Sequence, residues 1–129
     1  MRCVGTLTAI GLLFGLASAS WAQSEAALKQ GERIFRQQCS GCHVLSPGIH
    51  RAGPSLYQLM GRPAGSVEDF AYSAAFDNAA FNWTPEMLDA FLADPDALLP
   101  GNLMVLWGLA PGLRAPLIDY LQHAAENAP

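Results

Sequence analysis

The sequence predicts a small all-α domain of three or four helices joined by long loops, and three observations carry that prediction. No stretch alternates polar and apolar residues as a strand does. Three segments repeat apolar residues at helical spacing and are bounded by capping or breaking residues. Between them, Pro-Gly and Gly-Pro pairs mark loops longer than compact domains usually keep. Something besides the helices must organise those loops.

The first segment is a leader. Met1-Arg2 is basic, Val4 to Ala17 is apolar and uncharged, and Ser18-Ala19-Ser20-Trp21-Ala22 is rich in small residues. This is the three-part layout of a secretory signal peptide, with cleavage predicted after Ala22 and Ala19 as a second site. The apolar run is shorter than the roughly 20 residues that span a bilayer. Membrane contact therefore follows only if the segment is retained as an anchor. Residues 1–22 are the predicted leader and 23–129 the predicted domain, 107 of the 129 residues. Without Arg2, six basic and eleven acidic residues give that domain a formal charge of −5. That balance excludes nucleic acid as a partner.

The elements then follow in order. Ser24 to Gln38 reads as a helix, with Ser24 as N-cap and Leu28, Gly31 and Phe35 on one face. Residues 44–55 are a loop, and Leu56 to Met60 reads as a turn of helix stopped by Gly61. Residues 61–82 read as irregular. Thr84-Pro85-Glu86 starts a helix: Thr caps, Pro takes the first position and Glu suits the positive end of the dipole. Met87, Leu88, Phe91 and Leu92 form its buried stripe, and Asp94-Pro95 stops it. Residues 96–112 form another loop. The last helix is predicted from Leu113 to Ala125, with Leu113, Leu117, Tyr120, Leu121 and Ala124 facing inward and Pro116 in the first turn.

The chemistry concentrates in QCSGCH, residues 38–43. Cys3 leaves with the leader, so Cys39 and Cys42 are the only cysteines of the predicted domain. A structural zinc site wants four ligands, commonly two such pairs, and the remaining candidates are only His50 and His123. A thioredoxin-like dithiol sits near a βαβ pattern, which is absent. C-x-x-C-H is the attachment signature of c-type haem. At the end of a helix the two sulfurs project to one side. Each can add to a porphyrin vinyl group, and His43 is then placed to bind iron. One covalent haem c also supplies the apolar bulk that a domain this small lacks.

With these residues the chain resembles a class I cytochrome c, of the mitochondrial cytochrome c and bacterial cytochrome c2 pattern. The likeness runs through Gly31-Glu-Arg-Ile-Phe35, Cys39-Ser-Gly-Cys-His43, Gly53-Pro54-Ser-Leu56 and Gly61-Arg62. It continues with Phe70-Ala-Tyr72, Trp83-Thr-Pro-Glu, Pro100-Gly-Asn-Leu-Met104 and Leu117-Ile-Asp-Tyr120-Leu121. The resemblance implies the cytochrome c fold, helices and long loops wrapped round one haem. It implies Met104 as the sixth iron ligand opposite His43, a neutral thioether that favours Fe(II). It also implies that the Pro54 carbonyl accepts the His43 Nδ1–H, and that Arg62, Tyr72 and Trp83 surround the haem propionates. Gly31 would let the first and last helices approach closely. Met60 and Met87 read as core filler, His50 as a tie between loops and His123 as a surface residue.

The function implied is electron transfer without catalysis, because both axial positions of the iron are filled. The chain is expected to be a periplasmic carrier. Its partners would be redox proteins: a cytochrome bc1-type donor, and a terminal oxidase or reductase of a respiratory or photosynthetic chain. The alternative is a dedicated subunit of a periplasmic dehydrogenase complex. A gas- or peroxide-binding role requires Met104 to leave the iron. Two departures concern the pocket: Phe91 stands where the family usually has Tyr, and Phe76 where it has Asn. A drier pocket should raise the reduction potential. A third departure concerns docking. Lys29 is the only lysine, and Leu103-Met104-Val105-Leu106-Trp107 carries no charge, so a partner on-rate that barely changes with salt is expected.

Overall fold

The computed structural model describes residues 17–126; the first sixteen residues of the predicted leader and the last three of the chain lie outside it. Five helical segments follow one another: α1 (Ala17–Gln38), α2 (Ala74–Asp77), α3 (Pro85–Ala93), α4 (Pro95–Leu98) and α5 (Pro111–Glu126). Among the described residues there is no strand, and the β pairing found is a single antiparallel bridge between Pro63 and Asn82. The all-α class therefore holds, with three long helices and two of one turn.

The core sits where α1, α3 and α5 meet. Ile34 and Phe35 of α1 are buried against Leu117, Ile118 and Leu121 of α5, and Leu117 is wholly inaccessible. The helices approach so closely that a Cβ on Gly31 would collide with the Pro116 carbonyl, so only glycine fits that crossing. Phe35 and Tyr120 pack beside it with ring centroids 5.9 Å apart. Leu88, Phe91 and Leu92 of α3 complete the core, on the predicted stripe. Arg114 ties α5 to α3, donating from Nε to Asp89 Oδ1 at 2.7 Å and from Nη1 to the Leu109 carbonyl at 2.7 Å.

Several boundaries differ from the predicted ones. α1 begins at Ala17, so Ser24 lies inside the helix rather than capping it, and the helix runs through the predicted cleavage site. Leu56 to Met60 forms turns, not helix, because Gln58 takes a left-handed φ of 48° that an α-helix does not contain. Asp94-Pro95 ends α3 but also starts α4: Asp94 accepts from the Ala97 amide at 3.0 Å and Pro95 takes the first position. α5 starts two residues early, so Pro116 is its sixth residue and lies beyond the first turn. Leu113 is exposed, and Ile118 takes the inward place instead.

The loops are held by hydrogen bonds. The segment after the CxxCH motif folds back on it: the Gly53 amide donates to the Cys42 carbonyl at 2.8 Å, and Leu56 to Val44 at 2.8 Å. Buried Ser55 donates from Oγ to the Ser46 carbonyl at 2.6 Å. His50 Nδ1 accepts the Ser55 amide at 3.0 Å, so this histidine does tie the loop. Further on, Gly61 donates to Trp83 at 2.7 Å, Trp83 to Arg62 at 2.9 Å and Ala64 to Phe81 at 2.9 Å. These three bonds close residues 61–83 into a compact flap.

Candidate functional site

The eight residues singled out from the sequence, Cys39, Cys42, His43, Pro54, Arg62, Tyr72, Trp83 and Met104, all line one cavity of about 310 Å³. α1 places the first three. Its hydrogen bonding runs on past Gln38, the Cys39 amide donating to Phe35 at 2.9 Å and the His43 amide to Cys39 at 2.9 Å. The two thiols are therefore presented from one continued helical turn, three residues apart. They form no disulfide; Cys39 is half-buried and Cys42 exposed. Burial pushes the Cys39 thiol up to about 11, with the neighbouring Cys42 adding to the effect. Among the described residues no group of three or more His, Cys, Asp or Glu side chains is placed to hold a metal ion.

His43 is oriented for ligation. Its Nδ1–H donates to the Pro54 carbonyl at 2.8 Å, leaving Nε2 as the unprotonated nitrogen. Burial lowers its basicity further, against the raising effect of the Pro54 bond. Gly53 is the floor beneath the ring, where a Cβ would collide with His43 Cε1. His50 and His123 do not line the cavity.

The methionine is held from the opposite part of the chain. Asn102, buried to 8 % exposure, accepts the Met104 amide on Oδ1 at 3.0 Å. Its Nδ2 donates to Asp96 Oδ1 at 3.0 Å and to the Leu99 carbonyl at 3.0 Å. One side chain thus fixes the approach of Met104 to α4. The Leu109 amide then donates to the Leu92 carbonyl at 2.7 Å and closes the loop on α3.

A polar group waits at the same cavity. Arg62 donates to the Tyr57 and Ser55 carbonyls at 2.8 and 3.1 Å and makes no salt bridge among the described residues, and burial lowers its guanidinium from the ordinary value. Burial raises the Tyr72 phenol beside it. Ser73 Oγ is buried with no hydrogen-bond partner, the one such atom among the described residues. A half-buried unpaired cation and an orphan hydroxyl call for an anionic acceptor. The carboxylates of a porphyrin fit that need.

The remaining wall is aromatic. Trp83 and Phe91 stack edge-on with centroids 5.3 Å apart, and Phe76 packs on Phe91 at 5.9 Å. The two family departures are therefore neighbours, and together they make that wall apolar. Sequence reading missed Ser73 and Asn102 as site residues. Ser73 was visible as a lone hydroxyl in an aromatic stretch, and Asn102 as a short polar side chain in a Pro-Gly turn.

No family model matches the chain. Individual proteins do. Cytochrome c of Chlamydomonas reinhardtii is 44 % identical over 99 residues, 75 % of this chain and 88 % of that protein. Cytochrome c of Ginkgo biloba is 41 % identical over 101 residues, 77 % of this chain and 89 % of that protein. Cytochrome c type-1 of Ascaris suum is 37 % identical over 104 residues, 80 % of this chain and 93 % of that protein.

Proposed function

The chain belongs to the cytochrome c family, and from that premise we propose that it is an exported one-electron carrier whose haem iron is held by His43 and Met104. It is an electron-transfer haem protein with one covalent haem c. Cys39 and Cys42 would hold the porphyrin through thioethers, and Arg62, Tyr72, Ser73 and Trp83 would face its propionates. When bound, the haem supplies a reversible Fe(III)/Fe(II) couple.

The observation that carries this reading is the convergence on one cavity of the paired thiols, an imidazole fixed as its Nδ1–H tautomer, and a thioether tethered by Asn102. The chain's residues do the rest by positioning. The Pro54 bond keeps Nε2 available to the metal and makes the imidazole a better donor. The thioether favours the reduced ion and raises the potential. If His43 and Met104 both hold the iron, no position would be left open to a substrate, which would suit a carrier. The apolar walls would limit the solvent that reorganises when the charge of a bound haem changes.

The visible spectrum of the oxidised holoprotein, with a redox titration, tests this. A weak far-red band is expected, lost in Met104→Ala together with a fall in potential. A wild-type protein without that band would sink the Met104 assignment and favour the gas- or peroxide-binding role.

Export rests on the leader, and the proposed compartment is the periplasm. Cell fractionation with N-terminal sequencing checks it, with a start at Gln23 expected. The proposed partners are a cytochrome bc1-type donor and a terminal oxidase or reductase. The exposed Leu103, Val105 and Trp107 favour one further reading, a lasting subunit of a dehydrogenase complex. A carrier purifies alone, and a subunit purifies with its partner.

A further inference from the structure

The loop that carries Met104 ends in an apolar tip. Leu103 is 80 %, Val105 90 % and Trp107 94 % exposed, while the intervening Met104 and Leu106 turn inward. Leu103 and Val105 also edge the cavity, so a bound cofactor covers part of them; Trp107 does not line it and stays outside. Isolated surface leucines are ordinary, but three large apolar side chains on alternate residues of one loop form a patch. The tip is held firmly at its base, by Asn102 to Asp96 at 3.0 Å and by Leu109 to Leu92 at 2.7 Å. A projecting tryptophan on a pre-organised loop loses little entropy on docking and is the residue type that anchors interfaces.

Charge narrows the occupant. From Leu92 to Ala110 the only charged residues are Asp94 and Asp96, both exposed and both at the base of this loop. Arg114, bonded to the Leu109 carbonyl at the end of this loop, is already paired with Asp89. No basic residue lies within the loop itself, so Asp94 and Asp96 would repel a partner with an acidic docking rim.

We propose that Trp107, with Leu103 and Val105, docks into an uncharged apolar depression on a redox-partner protein that has no acidic rim. The electron then passes beside Met104 at the centre of the same patch. This rests on the electron-carrier reading above. Contact is governed by apolar burial, so the association is weak, short-lived and nearly independent of ionic strength.

The test uses the reduced holoprotein and detergent-solubilised membranes of the cell that makes it, following haem oxidation in 20 to 500 mM salt. Wild type should react at a rate that changes less than about twofold over that range, as an unsteered contact does. Trp107→Ala should slow it by about 30-fold, the effect of losing one anchoring residue, and Trp107→Gln, uncharged but polar at the same place, should slow it comparably. Oxidation of each variant by ferricyanide, the far-red band and the reduction potential should match wild type, which separates lost docking from a damaged haem site. A steep fall or rise in rate with salt, or an unchanged rate in Trp107→Ala, would overturn the proposal. So would flotation of the wild type with phosphatidylcholine vesicles that Trp107→Ala abolishes without slowing oxidation; the patch would then be a lipid contact. A wild type that ascorbate and ferricyanide cannot cycle would instead overturn the electron-carrier reading itself.

Discussion

Asn102→Ala should release the methionine before it unfolds the protein. The substitution removes three hydrogen bonds, from Met104 N, to Asp96 Oδ1 and to the Leu99 carbonyl, each at 3.0 Å. A net hydrogen bond contributes about 0.5–1.5 kcal/mol, so the sum spans about 1.5–4.5 kcal/mol. Asp96 is exposed and regains water at once, which places the loss in the lower half, at about 2 kcal/mol. None of these bonds crosses the α1–α5 core, so the loss is local to residues 96–104. On the proposed His43/Met104 ligation, about 2 kcal/mol raises the population with Met104 released about 30-fold. The assay heats the oxidised holoprotein and follows the far-red band and the far-ultraviolet circular dichroism together. The band should fade at a lower temperature than in wild type, ahead of the helices. Asn102→Asp, which keeps the acceptor for the Met104 amide but faces Asp96, should fall between the two. A band midpoint equal to wild type, or band and helices lost together, would refute the idea that Asn102 restrains the loop separately from the core.

Three further outcomes are expected. Gly31→Ala drives a methyl into the Pro116 carbonyl and should cost about 1–3 kcal/mol as overpacking does; urea unfolding of the holoprotein would show it as a lower midpoint, with the haem spectrum unchanged. Arg114→Ala removes the Asp89 pair and the Leu109 bond, but Asp89 is 46 % exposed and rehydrates, so a loss of about 1–2 kcal/mol by the same measurement is expected. Phe91→Tyr adds a hydroxyl to a residue with 3 % exposure beside Phe76 and Trp83. A hydroxyl there makes this wall of the pocket more polar, which favours the more highly charged oxidised iron, so redox titration should show a lower potential; an unchanged potential would sink the dry-pocket account.

Local signals predict the right local structure where one segment contains all the information. Thr84-Pro85-Glu86 reads as a helix start, and Thr84 Oγ1 does accept the Met87 amide at 3.2 Å. The same pattern at Asp94-Pro95 reads only as a stop, because one turn of helix carries no apolar period. The false helix at Leu56–Met60 failed on one dihedral, Gln58, that composition does not reveal. At the site, CxxCH is contiguous and legible. The unsatisfied Ser73 hydroxyl and the Asn102–Asp96 bond exist only after distant segments meet, and no spacing rule announces them. The α1–α5 crossing lies between these cases: Gly31 hinted at a close approach, but which carbonyl it admits depends on where α5 begins.

Because Leu92 and Leu109 are joined by a single backbone hydrogen bond, the stretch from Ala93 to Gly108 leaves and re-enters the frame at one point. Such a stretch is a handle. Its stem leans on the frame through Asn102 and the inward Met104, while Trp107 faces outward and stays off the cavity. Sequence change at Trp107 therefore carries little folding penalty. A chain of this design can be re-addressed to a different partner by exchanging that outer side chain, with the cavity behind it left as it was.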